Sequence, residues 1–211
     1  MLKADQTATL FHQFGIDLSS VQVEQVQTYA RLLLKWNLKM NLTRVVEEKR
    51  VYQEHFAESF GLSRFLPHPC TKVLDVGSGA GFPGLVLGIL LPDLSLALVE
   101  SSSKKALFLN EVIRALGMGG NVRVFQDRFE QIAPNFEGVF DAATLRGVKL
   151  SGELIGHLCA VLRPGGRLIT ITGSARAGGL RGAPSSIHWI RDEETRTGSN
   201  RVVLIGEKRS T

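Results

Sequence analysis

Residues 73–84 read Val73-Leu74-Asp75-Val76-Gly77-Ser78-Gly79-Ala80-Gly81-Phe82-Pro83-Gly84, an aliphatic run that ends in four glycines. The first half fits a buried strand. The glycines let the chain turn sharply into a helix and admit a ligand where any Cβ would clash. A loop of this kind suits a nucleotide-like cofactor. Gly79, Gly81 and Gly84 satisfy G-x-G-x-x-G, and Glu100 lies about 20 residues further on, so a dinucleotide fingerprint is formally met.

The placement of the acidic residues separates two cofactors. A pyrophosphate wants free backbone N–H groups at a helix N-terminus. S-adenosylmethionine has no phosphate and presents an ammonium, a carboxylate and a sulfonium, so a carboxylate beside the loop suits it better. Asp75 sits inside the strand, two residues before Gly77-x-Gly79-x-Gly81, which resembles the pattern of S-adenosylmethionine-dependent methyltransferases. On this reading Asp75 holds the loop or attracts the methionine ammonium. Glu100, closing the next aliphatic run at 96–100, accepts the ribose hydroxyls. The plainer alternative is that Asp75 only caps the following turn.

Composition frames this motif. With 211 residues, 44% of them hydrophobic, the chain can bury one substantial core. Its richest apolar segment, 85–99, is broken by Pro92-Asp93, so no membrane span is expected. The two cysteines, Cys70 and Cys159, lack metal or redox spacing, and the first residues lack a signal-like apolar core. A soluble cytoplasmic monomer without a metal is the expectation. The net charge of +5 fits a polyanionic partner as well as it fits a merely basic surface. Lys35, Lys39, Arg44, Lys49 and Arg50 crowd one segment, Lys104 and Lys105 begin a helix, and Arg163, Arg167, Arg176 and Arg181 flank the last third.

The pattern predicts helices over 5–66. Val23, Val26, Tyr29, Ala30, Leu33 and Leu34 recur at helical spacing up to Trp36, residues 37–43 break the pattern, and a further helix from Glu47 carries Val51, His55, Phe56 and Ser59. His55 reads as an ordinary surface or core histidine. Pro67 and Pro69 mark a boundary between a helical extension, 1–69, and a cofactor-binding domain, 70–211. Strands and helices then alternate, as in a doubly wound parallel sheet. Strands are predicted at 72–76, 94–100, 121–125, 139–144 and 167–172, with helices at 83–91, 104–116 (Ser102 as N-cap), 129–133 and 152–162. Candidate strands at 187–191 and 201–207 flank a polar turn, Thr197-Gly198-Ser199-Asn200, and a Gly-, Ala- and Arg-rich flexible loop spans 173–186. The terminal hairpin favours the class I methyltransferase fold, a Rossmann-like, mostly parallel seven-stranded sheet with helices on both faces, over a plain dinucleotide fold.

Several stretches together resemble the RsmG family, also called glucose-inhibited division protein B. They are Lys35-Trp36-Asn37 with Asn41-Leu42-Thr43, His55-Phe56-Ala57-Glu58-Ser59, the glycine loop, Val99-Glu100-Ser101 with Lys104-Lys105, and Phe140-Asp141 with Arg146. Glu58 stands where the family usually has Asp, and Thr172-Gly173-Ser174 where it commonly has a Lys-Gly pair. The resemblance implies a methyltransferase that uses S-adenosylmethionine to modify N7 of one guanosine in small-subunit (16S) ribosomal RNA, free or in the small ribosomal subunit. Residue by residue, it implies cofactor contacts from Gly77, Phe82, the pair Phe129-Glu130 and Arg146, beside Asp75, Gly79, Gly81 and Glu100 from the loop reading. Arg146 is also the expected catalytic, substrate-positioning residue. Two other classes stay open on the residues alone: a metabolite methyltransferase with the helical N-terminus as a lid, and a dinucleotide-binding module.

Overall fold

Aliphatic residues at alternate positions put one set of side chains on each face of a strand, and here the two sets build two separate cores. The structure, a computed structural model, describes residues 2–173, 186–194 and 201–209. Its strands are β1 (Lys72–Val76), β2 (Ser95–Val99), β3 (Val122–Phe125), β4 (Phe140–Arg146), β5 (Leu162–Gly173), β6 (Ile187–Glu194) and β7 (Arg201–Lys208). They form one sheet in the order β3-β2-β1-β4-β5-β7-β6. β1 to β5 pair in parallel, and β7 pairs antiparallel with both β5 and β6. This is the expected class I methyltransferase fold, with the hairpin at the edge.

On one face Val73, Leu96, Leu98 and Ala142 meet the larger core, and on the other Leu74, Val76, Ala97, Val99, Ala143 and Leu145 meet the smaller one. The larger face is covered by α1 (Ala4–His12), α2 (Ser20–Met40), α5 (Gly84–Leu90) and α6 (Ser103–Ala115), the smaller by α7 (Phe129–Ile132) and α8 (Gly152–Val161). The helices before residue 70 have no core of their own. Phe11, Tyr29, Tyr52, Phe56 and Phe60 share one cluster with Leu85, Leu98, Phe108 and Ile169, so the extension is built into the sheet's main core. Phe11 meets Tyr52 and Phe60 edge-on at 5.9 and 5.5 Å between centroids, the preferred geometry for ring quadrupoles.

Three local expectations are corrected. α2 runs past Trp36 to Met40 and ends at Asn41, whose φ of 49° is left-handed. Asn37 stays helical, and its side chain turns back onto the loop instead of breaking the helix. The helix predicted from Glu47 is four short turns in sequence: α3 (Glu48–Val51), a π-helical turn (Tyr52–Ala57), α4 (Glu58–Gly61) and a 3-10 turn (Leu62–Phe65). A π turn adds a residue to the helical repeat and re-aims the side chains it carries. Ser102 sits at the start of α6, but its side chain makes no capping bond; Ser19 and Ser151 do cap α2 and α8. The loop expected over 173–186 falls almost wholly, and the turn at 197–200 entirely, outside the described residues.

Phe11→Ala should remove about 3–5 kcal/mol of stability and leave one cooperative urea transition followed by fluorescence and circular dichroism together. A separate early transition of the helices, with the sheet unfolding where it did before, would contradict a shared core.

Candidate active site

β1 ends in the glycine loop, which is pinned to the end of β2. Gly77 N and Ser78 N donate to Val99 O at 2.9 and 3.1 Å, and Gly81 N donates to Ser78 O at 2.6 Å. Gly77 and Gly81 take φ of 66° and 88°, where a side chain would be strained. A Cβ on Gly77 would stand 2.8 Å from Val148 Cγ2, so the segment after β4 lies directly against the exposed Gly77. From below, the buried Tyr29 hydroxyl donates to Ala80 O.

Glu100 is buried at the loop's other flank. Its carboxylate accepts from Gly79 N at 2.9 Å and from Ser102 N at 2.8 Å. In this structure it ties the two loops together, while each oxygen keeps acceptor capacity for a further donor.

Asp75 is fully buried, on the large-core face. Its Oδ1 accepts from Thr144 Oγ1 at 2.7 Å, across the β1–β4 pairing that sets Asp75 opposite Thr144. Its Oδ2 has no hydrogen-bond partner among the described residues and lies beneath Gly84, where a Cβ would come within 2.9 Å. Burial pushes its pKa up to about 6, against the opposing Thr144 hydrogen bond. The loop is joined to this residue through its backbone, where Ser78 Oγ donates to Asp75 O at 2.9 Å.

Arg146, the last residue of β4, shares the face of Ala142 and Thr144 and so points under the helices before residue 70. Its Nη2 donates to Glu54 O, to His55 Nδ1 at 3.1 Å and to Glu58 Oε2 at 3.0 Å. Arg201 of β7 donates to the same Glu58 oxygen at 2.6 Å and to Glu54 Oε2 at 3.0 Å, and Arg50 reaches Glu54 Oε1 at 2.7 Å. Among the described residues three guanidinium groups meet two carboxylates in this cluster. Arg146 Nη1 is buried and has no partner among the described residues. Burial lowers the Arg146 pKa to about 10, opposed by Glu58, which leaves it charged at neutral pH.

His55 continues the chain. Facing a guanidinium donor, its Nδ1 accepts, so the imidazole is neutral and its Nε2–H donates to Thr43 Oγ1 at 2.7 Å. Burial, then the Arg146 charge, takes its pKa down to about 3. Asn37 closes the chain: its Oδ1 accepts from Thr43 N at 2.8 Å and its Nδ2 donates to Thr43 O at 3.0 Å. Asn37, Thr43, His55, Glu54, Glu58 and Arg201 were not among the expected site residues. The Lys35-Trp36-Asn37, Asn41-Leu42-Thr43 and His55 to Ser59 stretches were the available signal for four of them, Asn37, Thr43, His55 and Glu58.

The remaining expected residues divide. Phe82, expected to contact the cofactor, stacks its ring on Tyr29 at 5.2 Å and 4°, with His55 and Phe56 around it. Phe129 is buried in the smaller core, and Glu130 is exposed on the first turn of α7, just beyond β3. The basic residues do not share one face. Arg163 pairs with Asp141 at 2.9 Å and Arg167 with Glu207 at 3.4 Å, both at the end of the strands away from the glycine loop. Arg176 and Arg181 lie outside the described residues.

The arrangement holds a glycine-rich cradle, a buried carboxylate beside it and a buried cationic nitrogen with no partner among the described residues. These are complements for a ligand that carries hydroxyls and a carboxylate. A family model described as rRNA small subunit methyltransferase G matches residues 22–198. Ribosomal RNA small subunit methyltransferase G of Streptococcus pyogenes serotype M12 (strain MGAS9429) is 35% identical over 206 residues, covering 92% of this chain and 86% of that protein. Among solved structures, a SAM dependent methyltransferase from Aquifex aeolicus matches with a TM-score of 0.61 at 20% identity, over 75% of this chain and 93% of that one. Geranyl diphosphate C-methyltransferase from Streptomyces coelicolor A3(2), in complex with S-adenosyl-L-homocysteine and other ligands, matches with a TM-score of 0.59 at 14% identity, over 72% and 75%. At such identities these two structures speak for the fold.

The two buried titrating groups oppose each other. His55, shifted from 6.5 to about 3, makes the unfolded chain bind more protons, so stability rises with pH across that window. Asp75, shifted from 3.8 to about 6, makes the folded chain bind more, so stability falls as pH rises from 3.8 to 6. Their slopes offset between about pH 4 and 6. In Asp75→Asn the His55 slope should emerge, with stability climbing faster than in the wild type by up to about 1.4 kcal/mol per pH unit; urea midpoints measured from pH 4 to 7 check this, and an unchanged slope would contradict it.

Proposed function

The chain belongs to the rRNA small subunit methyltransferase G family, and from that premise we propose that it transfers a methyl group from S-adenosylmethionine to N7 of a guanosine in bacterial 16S ribosomal RNA. The observation that carries the mechanism is Arg146 Nη1, a buried cationic donor at the C-terminal end of β4 with no partner among the described residues. Bound S-adenosylmethionine supplies an electrophilic methyl group on a sulfonium. Gly77, Gly79 and Gly81 give its binding loop a backbone that a ligand can approach closely, and Glu100 accepts from its ribose hydroxyls. Glu130, exposed beyond β3, is placed for the adenine side. Asp75 and Tyr29 hold the loop from beneath.

The reaction asks little acid–base work of the protein. Guanine N7 carries a lone pair and no proton, so no general base is required, and the buried neutral His55 needs no proton to give or take. Orientation supplies the rate, worth about 7–11 kcal/mol in well-aligned intramolecular reactions. Arg146 orients through its free nitrogen, which suits a carboxylate, a phosphate oxygen or guanine O6. Glu54, Glu58 and His55 fix the rest of its guanidinium, so that nitrogen is preorganised.

Radiolabelled S-adenosylmethionine offered with small subunits, large subunits or deproteinised rRNA from cells lacking the modification should label one guanosine N7 in the small-subunit rRNA. Label in no RNA would overturn the reading in favour of a metabolite methyltransferase. Arg146→Ala should lower kcat by about 100-fold or more with the circular dichroism spectrum unchanged, since Glu58 keeps Arg201; full activity in that variant would remove Arg146 from the mechanism.

A further inference from the structure

The C-terminal end of α2 and the loop after it expose Lys35, Lys39, Arg44 and Lys49, against which the same segment sets Glu47 and Glu48. None of the four cations makes an ion pair among the described residues. Lys35 and Lys39 stand one helical turn apart, a mildly unfavourable spacing for like charges unless something neutralises them. Between them Leu38 is 88% exposed, and across the groove Val46 is 66% exposed. Arg50, Arg163 and Arg167 are paired, whereas Lys72, Arg114 and Arg123 are exposed and, like the four cations of this segment, make no ion pair among the described residues, but they are not gathered beside a groove.

This surface is joined to the active site through a rigid path. Asn37, on the same helix turn, holds Thr43 by two hydrogen bonds; Thr43 holds His55, and His55 touches Arg146. One imidazole ring therefore separates the wall of the groove from the guanidinium at the end of β4. Thr43 is thus shared by the groove, whose wall it lines, and by the hydrogen-bond chain that ends at Arg146.

We propose that the groove between the end of α2 and the 41–47 loop docks the RNA strand flanking the target guanosine, with Lys35, Lys39 and Arg44 on phosphates and Leu38 and Val46 against an unstacked base or ribose. This deepens the rRNA reading and rests on it. Unpaired nucleotides are what single-strand recognition uses, because their faces are free for contact. Two isolated apolar side chains are too small a surface to insert into a lipid bilayer, for which a whole apolar helix face is required.

The test compares Lys35→Ala/Lys39→Ala/Arg44→Ala with a control that removes the same charge elsewhere, Lys72→Ala/Arg114→Ala/Arg123→Ala. Methyl transfer to small subunits is measured as a function of substrate and salt, with S-adenosylmethionine affinity by calorimetry. The groove variant should raise KM for the subunit by about tenfold or more and flatten the salt dependence of binding by about one unit of log–log slope per lost phosphate contact. Its kcat at saturation and its cofactor affinity should match the wild type, and the control should keep the wild-type KM. Equal KM values in all three proteins, or an equal rise in the control, would overturn the proposal, as would loss of binding to anionic phospholipid vesicles with RNA affinity intact. A wild-type protein that labels no RNA fails in a separate arm and removes the rRNA reading itself.

Discussion

The carboxylate of Glu58 is fully buried and receives two guanidinium groups, from Arg146 at 3.0 Å and Arg201 at 2.6 Å. Desolvating three charges is costly, and such clusters seldom exist for stability alone, since apolar residues of similar volume do as well or better. What this one provides is position. Arg146 comes from the centre of the sheet, Arg201 from the antiparallel hairpin and Glu58 from the helices before residue 70, so three separate parts of the chain converge on one oxygen. Once Glu58, Glu54 and His55 have taken one nitrogen of Arg146, the other is left as a fixed donor.

That arrangement explains why the first 65 residues are built into the core. Their rings, Phe11, Tyr29, Tyr52, Phe56 and Phe60, pack against the sheet's own α5 and α6. Tyr29 alone supports the site twice, by stacking on Phe82 and by donating to Ala80 O in the glycine loop. The π-helical turn at Tyr52–Ala57 lies in this same stretch and brings both the Glu54 carbonyl and the His55 ring to Arg146. The helices are thus the wall that Arg146 is fastened to.

Much of this was legible from the residues. The five parallel strands and the terminal hairpin follow from aliphatic runs, glycine punctuation and turn residues, which are local signals, and the glycine loop declared a cofactor site through the backbone alone. The fate of the polar side chains depended on parity and on partners distant in sequence. Thr144 and Arg146 alternate with Ala143 and Leu145, which already puts Arg146 on the face of Asp75, but nothing local says that this face is roofed by the first helices. Glu58 meets its arginines across 88 and 143 positions of chain. Phe82 depended on distant partners in the same way: a ring in a glycine loop gives no local sign that Tyr29 stacks on it. His55 was marked by the stretch it begins, but its place between Thr43 and Arg146 depends on partners distant in sequence.

The measurement closest to the centre of this account is a double-mutant cycle on kcat with Glu58→Gln and Arg146→Ala. If Glu58 acts by holding Arg146, Glu58→Gln alone should slow methyl transfer with S-adenosylmethionine affinity unchanged, and the double variant should be no slower than Arg146→Ala. Losses that simply add, or a Glu58→Gln enzyme with full kcat, would contradict it.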